Sequence, residues 1–185
     1  MKYKPYTMIG SRETPQDILD LMTAFATKLA SEGYTARSGG ADGADTCAEL
    51  GYENYVKEFG QNPDLLEVYL PWSGFNKRWS KSPPYYVASK LDGYEKAQEI
   101  AESIHPAWDR CSDGAKTLHT RNVYQILGKD LDIPSLFVVF WAIPTTGERV
   151  KGGTNTAVQL GLTHGCKCFN LYHEENRQRV IYYLD

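Results

Sequence analysis

The sequence predicts an α/β protein with a mostly parallel sheet and helices on both faces, and three observations carry that prediction. Strand-like apolar runs alternate with amphipathic helical runs along the whole chain, the order that builds βαβ crossovers. One run, Ser135-Leu136-Phe137-Val138-Val139-Phe140-Trp141, is apolar almost without a break, as a parallel strand buried on both faces must be. Two glycine clusters, at Gly39-Gly40 and Gly152-Gly153, each follow a strand pattern and precede a helical one. That is the position where open α/β sheets receive ligands.

The elements follow in order. Tyr6-Thr7-Met8-Ile9 is the first strand, ending at Gly10. In the next helix Ile18, Leu21, Met22, Phe25 and Leu29 share one face at helical spacing. Thr14 is its expected cap, Pro15 its first residue and Gly33 its stop. Tyr34-Thr35-Ala36-Arg37 is a second strand, broken by Ser38-Gly39-Gly40, and a second helix runs from Gly43 or Ala44 to about Phe59. A third strand covers residues 65–70. Residues 71–92 are expected to be irregular. Their Trp72, Phe75, Trp79, Lys77, Arg78 and Lys81 fit a lid over a ligand, or equally a surface loop pinned by Trp72 and Trp79. Helices return at residues 94–104 and 114–127, the second stopped by Gly128. After the apolar strand come a loop at 143–150, a helix to about His164, a strand at 167–172 and a closing helix at 174–184.

A chain of 185 residues fits one domain with a core large enough to need neither metal nor disulfide. No run approaches the ~18 apolar residues of a membrane span, and the first residues lack the apolar stretch of a signal peptide. A cytoplasmic location with reduced Cys47, Cys111, Cys166 and Cys168 is therefore expected. Cys166 and Cys168 have no second pair at metal-site spacing, so neither metal nor cofactor is expected. His105, His164 and His173 read as structural or surface histidines. The formal net charge of −3 argues against a broad basic face and hence against nucleic acid as a partner.

Three segments carry the chemistry. Gly10-Ser11-Arg12 offers a tight turn, a hydroxyl and a guanidinium able to hold a phosphate or carboxylate. Ser38-Gly39-Gly40-Ala41-Asp42-Gly43-Ala44-Asp45 lets backbone N–H groups approach an anion, while Asp42 and Asp45 either cap the helix or accept hydrogen bonds from a ribose. Capping is the preferred reading for Asp42 and ligand contact for Asp45. Lys151-Gly152-Gly153-Thr154-Asn155-Thr156 is a phosphate cradle at a helix N-terminus, without the Gly-Lys-Ser/Thr ending of a Walker loop or the GxGxxG spacing. Arg121 and Asn122, on the helix before the apolar strand, are further candidates for a phosphate or ribose.

These motifs resemble the SMF/DprA–LOG (SLOG) superfamily of Rossmann-like nucleotide-binding proteins. Gly10-Ser11-Arg12 is similar to its first-strand GS(R/S) signature, and residues 38–45 to its SGGAxGAD loop. The motif order is most similar to the LOG nucleoside 5′-monophosphate phosphoribohydrolases. Leu118-His119-Thr120-Arg121-Asn122 resembles their MHxRK segment, and Lys151-Gly152-Gly153-Thr154-Asn155-Thr156-Ala157-Val158-Gln159 their PGGxGTxxE loop. The resemblance implies a Rossmann-like fold over residues 1–185, an insertion at about 71–113, a homodimer or higher homo-oligomer, and phosphate held by the GGT loop. It makes Arg121 the match for the catalytic arginine. Gln159 stands where those hydrolases carry their catalytic glutamate, and an amide cannot stabilise positive charge or activate water as a carboxylate does. Glu49 or Asp45 is then the substitute carboxylate if the chain is an enzyme. The resulting expectation is binding of a nucleotide-like small molecule, for sensing or sequestration, without efficient hydrolysis. N-glycosidic cleavage or base transfer is the alternative, followed by DprA-like handling of single-stranded DNA.

Overall fold

A computed structural model of the chain describes residues 3–79 and 82–185. Strands Pro5–Gly10 (β1), Thr35–Ser38 (β2), Leu66–Leu70 (β3), Tyr85–Val87 (β4), Phe137–Trp141 (β5) and Lys167–Asn170 (β6) form one sheet. Its order is β4-β3-β2-β1-β5-β6, and every neighbouring pair is parallel. The chain lays down β1 to β4 outward in one direction, then returns to the other side of β1 for β5 and β6. The fold is α/β and Rossmann-like, and its strand order reverses between β1 and β5. Such a reversal opens a crevice beyond the carboxyl ends of the two strands.

The alternation of side chains along each strand sends residues to two apolar layers. Tyr6 and Met8 of β1 with Val139 and Trp141 of β5 face helices Gln16–Ser31 (α1), Ala44–Phe59 (α2) and Glu174–Leu184 (α6). Ile9, Val138 and Phe140 face the opposite way, against helices Tyr94–Ile104 (α3), Asp113–Leu127 (α4) and Thr154–Thr163 (α5). The α3 helix belongs to the fold, because its Ala97 and Ala101 are fully buried in the second layer. Arg37, itself buried, ties the end of α4 to the sheet by donating to the carbonyl of Ile126 at 3.1 Å while pairing with Glu67 at 3.0 Å.

Three features differ from the sequence expectation. Residues 71–92 contain an edge strand, β4, too short for any period to reveal. Pro83-Pro84 directly before it suits an edge position, where a missing ladder donor costs little. Thr14 does not cap α1. Its hydroxyl donates to the carbonyl of Ser11 at 2.6 Å, Pro15 takes the cap position, and no side chain caps the helix. Neither tryptophan pins the 71–92 segment, since Trp72 and Trp79 are exposed. The buried anchors are Phe75 and the ion pair of Arg78 with Glu49. Lys81 of that segment lies outside the described residues.

Candidate functional site

The crevice beyond β1 and β5 is a cavity of about 380 Å³. One wall is the loop after β1, where Gly10, Ser11, Arg12 and Glu13 line it. That loop is locked to the neighbouring strand end: Ser11 N–H donates to the carbonyl of Trp141 at 2.9 Å. Gly10 has no room for a side chain, since a Cβ there would come within 2.7 Å of both Ala44 and the Trp141 carbonyl. The facing wall is Lys151, Gly152, Gly153 and Thr154 at the start of α5. No side chain caps this helix; the Asn155 N–H donates back to the Gly152 carbonyl at 3.2 Å, and the rest of the helix start suits an external acceptor. Asn122 holds the wall in place, donating from its amide to the carbonyl of Gly153 at 3.0 Å.

The floor comes from α4 and α2. Leu118, His119, Arg121, Asn122 and Gln125 of α4 line it, with Asp45 from the first turn of α2. Arg121 and Asp45 are both buried, with their charged groups 3.9 Å apart. Asp45 also accepts from the N–H of Gly10 at 3.2 Å and from the Gln125 amide at 3.4 Å. Burial nevertheless raises its pKa, against the opposing pull of Arg121 and the Gly10 N–H. Arg121 donates to the carbonyls of Gly39 and Tyr69, the latter at 3.2 Å. Its Nε is buried with no acceptor among the described residues. Burial, His105 and Arg121 push the His119 imidazole down to about 4, so it is neutral at pH 7.

The structure separates the sequence-predicted residues into two sets. Gly10, Ser11, Arg12, Asp45, Arg121, Asn122, Gly152, Gly153 and Thr154 meet at this cavity. Ser38, Gly39, Gly40, Asp42, Gly43, Asn155, Thr156, Glu49 and Gln159 are not among its lining residues. Ser38 is fully buried, donating to the Met8 and Asp45 carbonyls. Gly39 and Gly40 are close-packed by the protein's own side chains rather than open to a ligand. Asp42 is exposed and makes no cap, because Gly43, at φ +87°, occupies the cap position of α2. Asn155 accepts from the N–H of Val150, and Thr156 bonds His119 at 2.9 Å, so both brace the loop from behind.

Of the two candidate substitute carboxylates Asp45 lines the cavity, whereas Glu49, and Gln159 at the catalytic position itself, do not. Glu49 is gripped by Arg78 at 2.7 Å and accepts from the Tyr85 hydroxyl at 2.8 Å, on the far side of the Gly39-Gly40 turn. Gln159 donates to the carbonyl of Glu148 at 3.1 Å, where it fastens the loop before α5. The expected lid does not line the cavity either. Asn76 and Arg78 instead pack on Gly40. Sequence reasoning passed over Glu13, Leu118, His119 and Gln125. A signal for the last three was present, since Leu118, His119, Asn122 and Gln125 recur at the three-to-four-residue spacing of one helix face.

No family model matches the chain, and no curated protein does. Among solved structures it is similar to the DNA processing protein A from Helicobacter pylori, described for its unique single-stranded DNA binding mode. Identity is 15%, the TM-score is 0.38, and the match covers 98% of this chain and 80% of that one. This likeness concerns the fold alone. That neighbour is described as binding single-stranded DNA, which runs against the expectation of no nucleic-acid partner, and the expectation is withdrawn. Net charge sums the whole chain and does not register the two cations, Arg12 and Lys151, that line the opposite walls of this cavity. No described helix is long and apolar enough to cross a membrane.

Proposed function

We propose that the β1/β5 crevice binds a phosphate-bearing nucleotide unit without cleaving it. The observation that carries this reading is the uncapped, glycine-lined start of α5 facing Arg12 across the cavity. Helix N-terminal N–H groups and an opposing guanidinium are a matched pair for a phosphate. Arg12 makes no ion pair among the described residues, and Lys151 is only loosely held by Glu13 at 3.8 Å with both side chains exposed. Similarity of motif order to the phosphoribohydrolases supports a nucleoside monophosphate as the ligand. The positions of Glu49 and Gln159 support binding over hydrolysis, because neither offers a group to the sugar.

A second reading, N-glycosidic cleavage, is favoured by one observation: two carboxylates, Glu13 and Asp45, do line the cavity. Asp45 is committed to Gly10, Gln125 and Arg121, and Glu13 to Lys151. Calorimetric titration with AMP, adenosine and inorganic phosphate tests the proposal. AMP is expected to bind at least ~10-fold more tightly than adenosine, a difference of about 1.4 kcal/mol. Equal affinity for the two would remove the phosphate from the account. Recovery of adenine with ribose 5-phosphate after incubation would replace binding by cleavage. A 5′-phosphorylated single-stranded oligonucleotide that competes with AMP would identify the nucleotide unit as part of a strand.

A further inference from the structure

We infer that His105, Cys111 and His119 form a binding site for a borderline-soft divalent cation, zinc above all, with one coordination position left open. The three come from one stretch of chain folded back on itself. His105 ends α3, Cys111 follows the short 3-10 turn Trp108–Arg110, and His119 lies on the second turn of α4. One ligand atom from each lies within 4.8 Å of the others. The Cys111 sulfur is 3.8 Å from Nδ1 and 3.9 Å from Nε2 of His105, and the two imidazole centroids are 4.3 Å apart. A tetrahedral zinc with bonds of about 2.3 Å to sulfur and about 2.0 Å to nitrogen sets its ligand atoms roughly 3.5 Å apart. The His105–Cys111 pair is within a few tenths of an ångström of that spacing, and the pairs with His119, all inside 4.8 Å, close by at most about 1.3 Å around an ion.

The surroundings orient the ligands. Nδ1 of His119 is engaged by the Thr156 hydroxyl at 2.9 Å, which turns Nε2 towards the cluster. An outer partner on the second ring nitrogen is the usual support of a metal-bound imidazole. Nδ1 of His105 accepts a hydrogen bond from the N–H of Ala107 at 3.2 Å, so it is unprotonated, and it binds a metal by exchanging that long bond for the ion. All three residues are half-buried, sheltered from bulk water but reachable. Glu102 and Asp109 line the hollow beside His105 together with Arg110, leaving one net negative charge to face a cation. Two imidazoles and a thiolate select zinc-like ions over magnesium or calcium, which take oxygen ligands. His119 also lines the nucleotide cavity, two and three residues before Arg121 and Asn122. An ion here would fix the α3–α4 connection and, through it, one wall of that cavity.

Titration of the metal-free full-length protein with Co(II), then displacement by Zn(II), tests the assignment. One Co(II) per chain is expected, with a sulfur-to-cobalt charge-transfer band and the intense visible bands of tetrahedral cobalt. Cys111→Ser should abolish the charge-transfer band, and a Cys166→Ser/Cys168→Ser variant should retain it. Thr156→Val should weaken Zn(II) by roughly 10-fold, as loss of an outer partner does. His105→Asn and His119→Asn should each weaken it by more. Circular dichroism of each variant confirms that the fold is retained. A weak octahedral cobalt spectrum, or an affinity unchanged by Cys111→Ser in a folded variant, would overturn the assignment. So would a charge-transfer band that follows Cys166 and Cys168 instead.

Discussion

Gly39-Gly40 and Gly152-Gly153 both join a strand to a helix, yet a Cβ meets opposite surroundings in the two loops. Added at Gly39 it would overlap the Arg121 guanidinium and the Gln125 amide, and at Gly40 it would come within 2.8 Å of Arg78. Added at Gly152 or Gly153 it would meet nothing within 4 Å. The first loop is glycine-rich because the protein's own arginines occupy the space. The second is glycine-rich around space that the protein leaves open. Absence of a side chain thus marks a packing requirement in one place and a candidate ligand surface in the other, and composition alone does not distinguish them.

The largest expected effect lies where the closed loop meets the cavity floor. Arg121→Met leaves Asp45 buried without its cation, a change that typically costs about 3–5 kcal/mol. For a chain of this size that lowers Tm by roughly 10 °C, measured by thermal unfolding. The defect should shrink in acid. Burial already holds the Asp45 pKa above its ordinary value, and losing Arg121 raises it further. A carboxyl raised in the folded state lends stability at low pH that is lost as pH rises through its folded pKa. Unfolding free energies of the variant and the parent should therefore converge as pH falls from neutrality. If the gap instead widened, Asp45 would not be the group left unpaired.

Gly39→Ala comes next. Forcing a methyl into the Arg121 and Gln125 side chains should cost about 1–3 kcal/mol by chemical denaturation, as overpacking does elsewhere. Glu49→Gln ranks third. It weakens charge-assisted bonds to Arg78 worth about 1.5–3 kcal/mol, yet AMP affinity should stay unchanged because Glu49 is remote from the cavity. A loss of AMP binding in a folded Glu49→Gln protein would return that carboxylate to the site. Gly153→Ala has the smallest effect on stability, within about 0.5 kcal/mol, because φ is −64° and the space is empty. Its effect belongs to binding: a methyl in the cradle should weaken AMP by roughly 10-fold in calorimetry, about 1.4 kcal/mol.

The alternation of apolar runs was enough to read the layered α/β fold, and helices α3 and α6 begin and end where their patterns do. Strand β4 escaped because three residues carry no period, and Thr14 because its hydroxyl found a nearer acceptor in the Ser11 carbonyl. Within the site, local signals located the glycine loops and Arg121. They did not reveal that Arg121 would fill the Gly39 loop, since 82 residues separate the two. Gln159 illustrates the same limit. Its place in a motif resembled a catalytic one, while its amide is spent on the Glu148 carbonyl. The His105–Cys111–His119 cluster was hidden because its members do not follow the paired CxxC spacing by which metal sites are read.

The central claim, that the open loop and not the closed one receives phosphate, is tested most directly by amide NMR of the ¹⁵N-labelled protein titrated with AMP. The resonances of Gly152, Gly153 and Thr154 are expected to move progressively and saturate, while Gly39 and Gly40 stay close to their starting positions. Saturable shifts at Gly39 and Gly40 with Gly152 and Gly153 unmoved would contradict it.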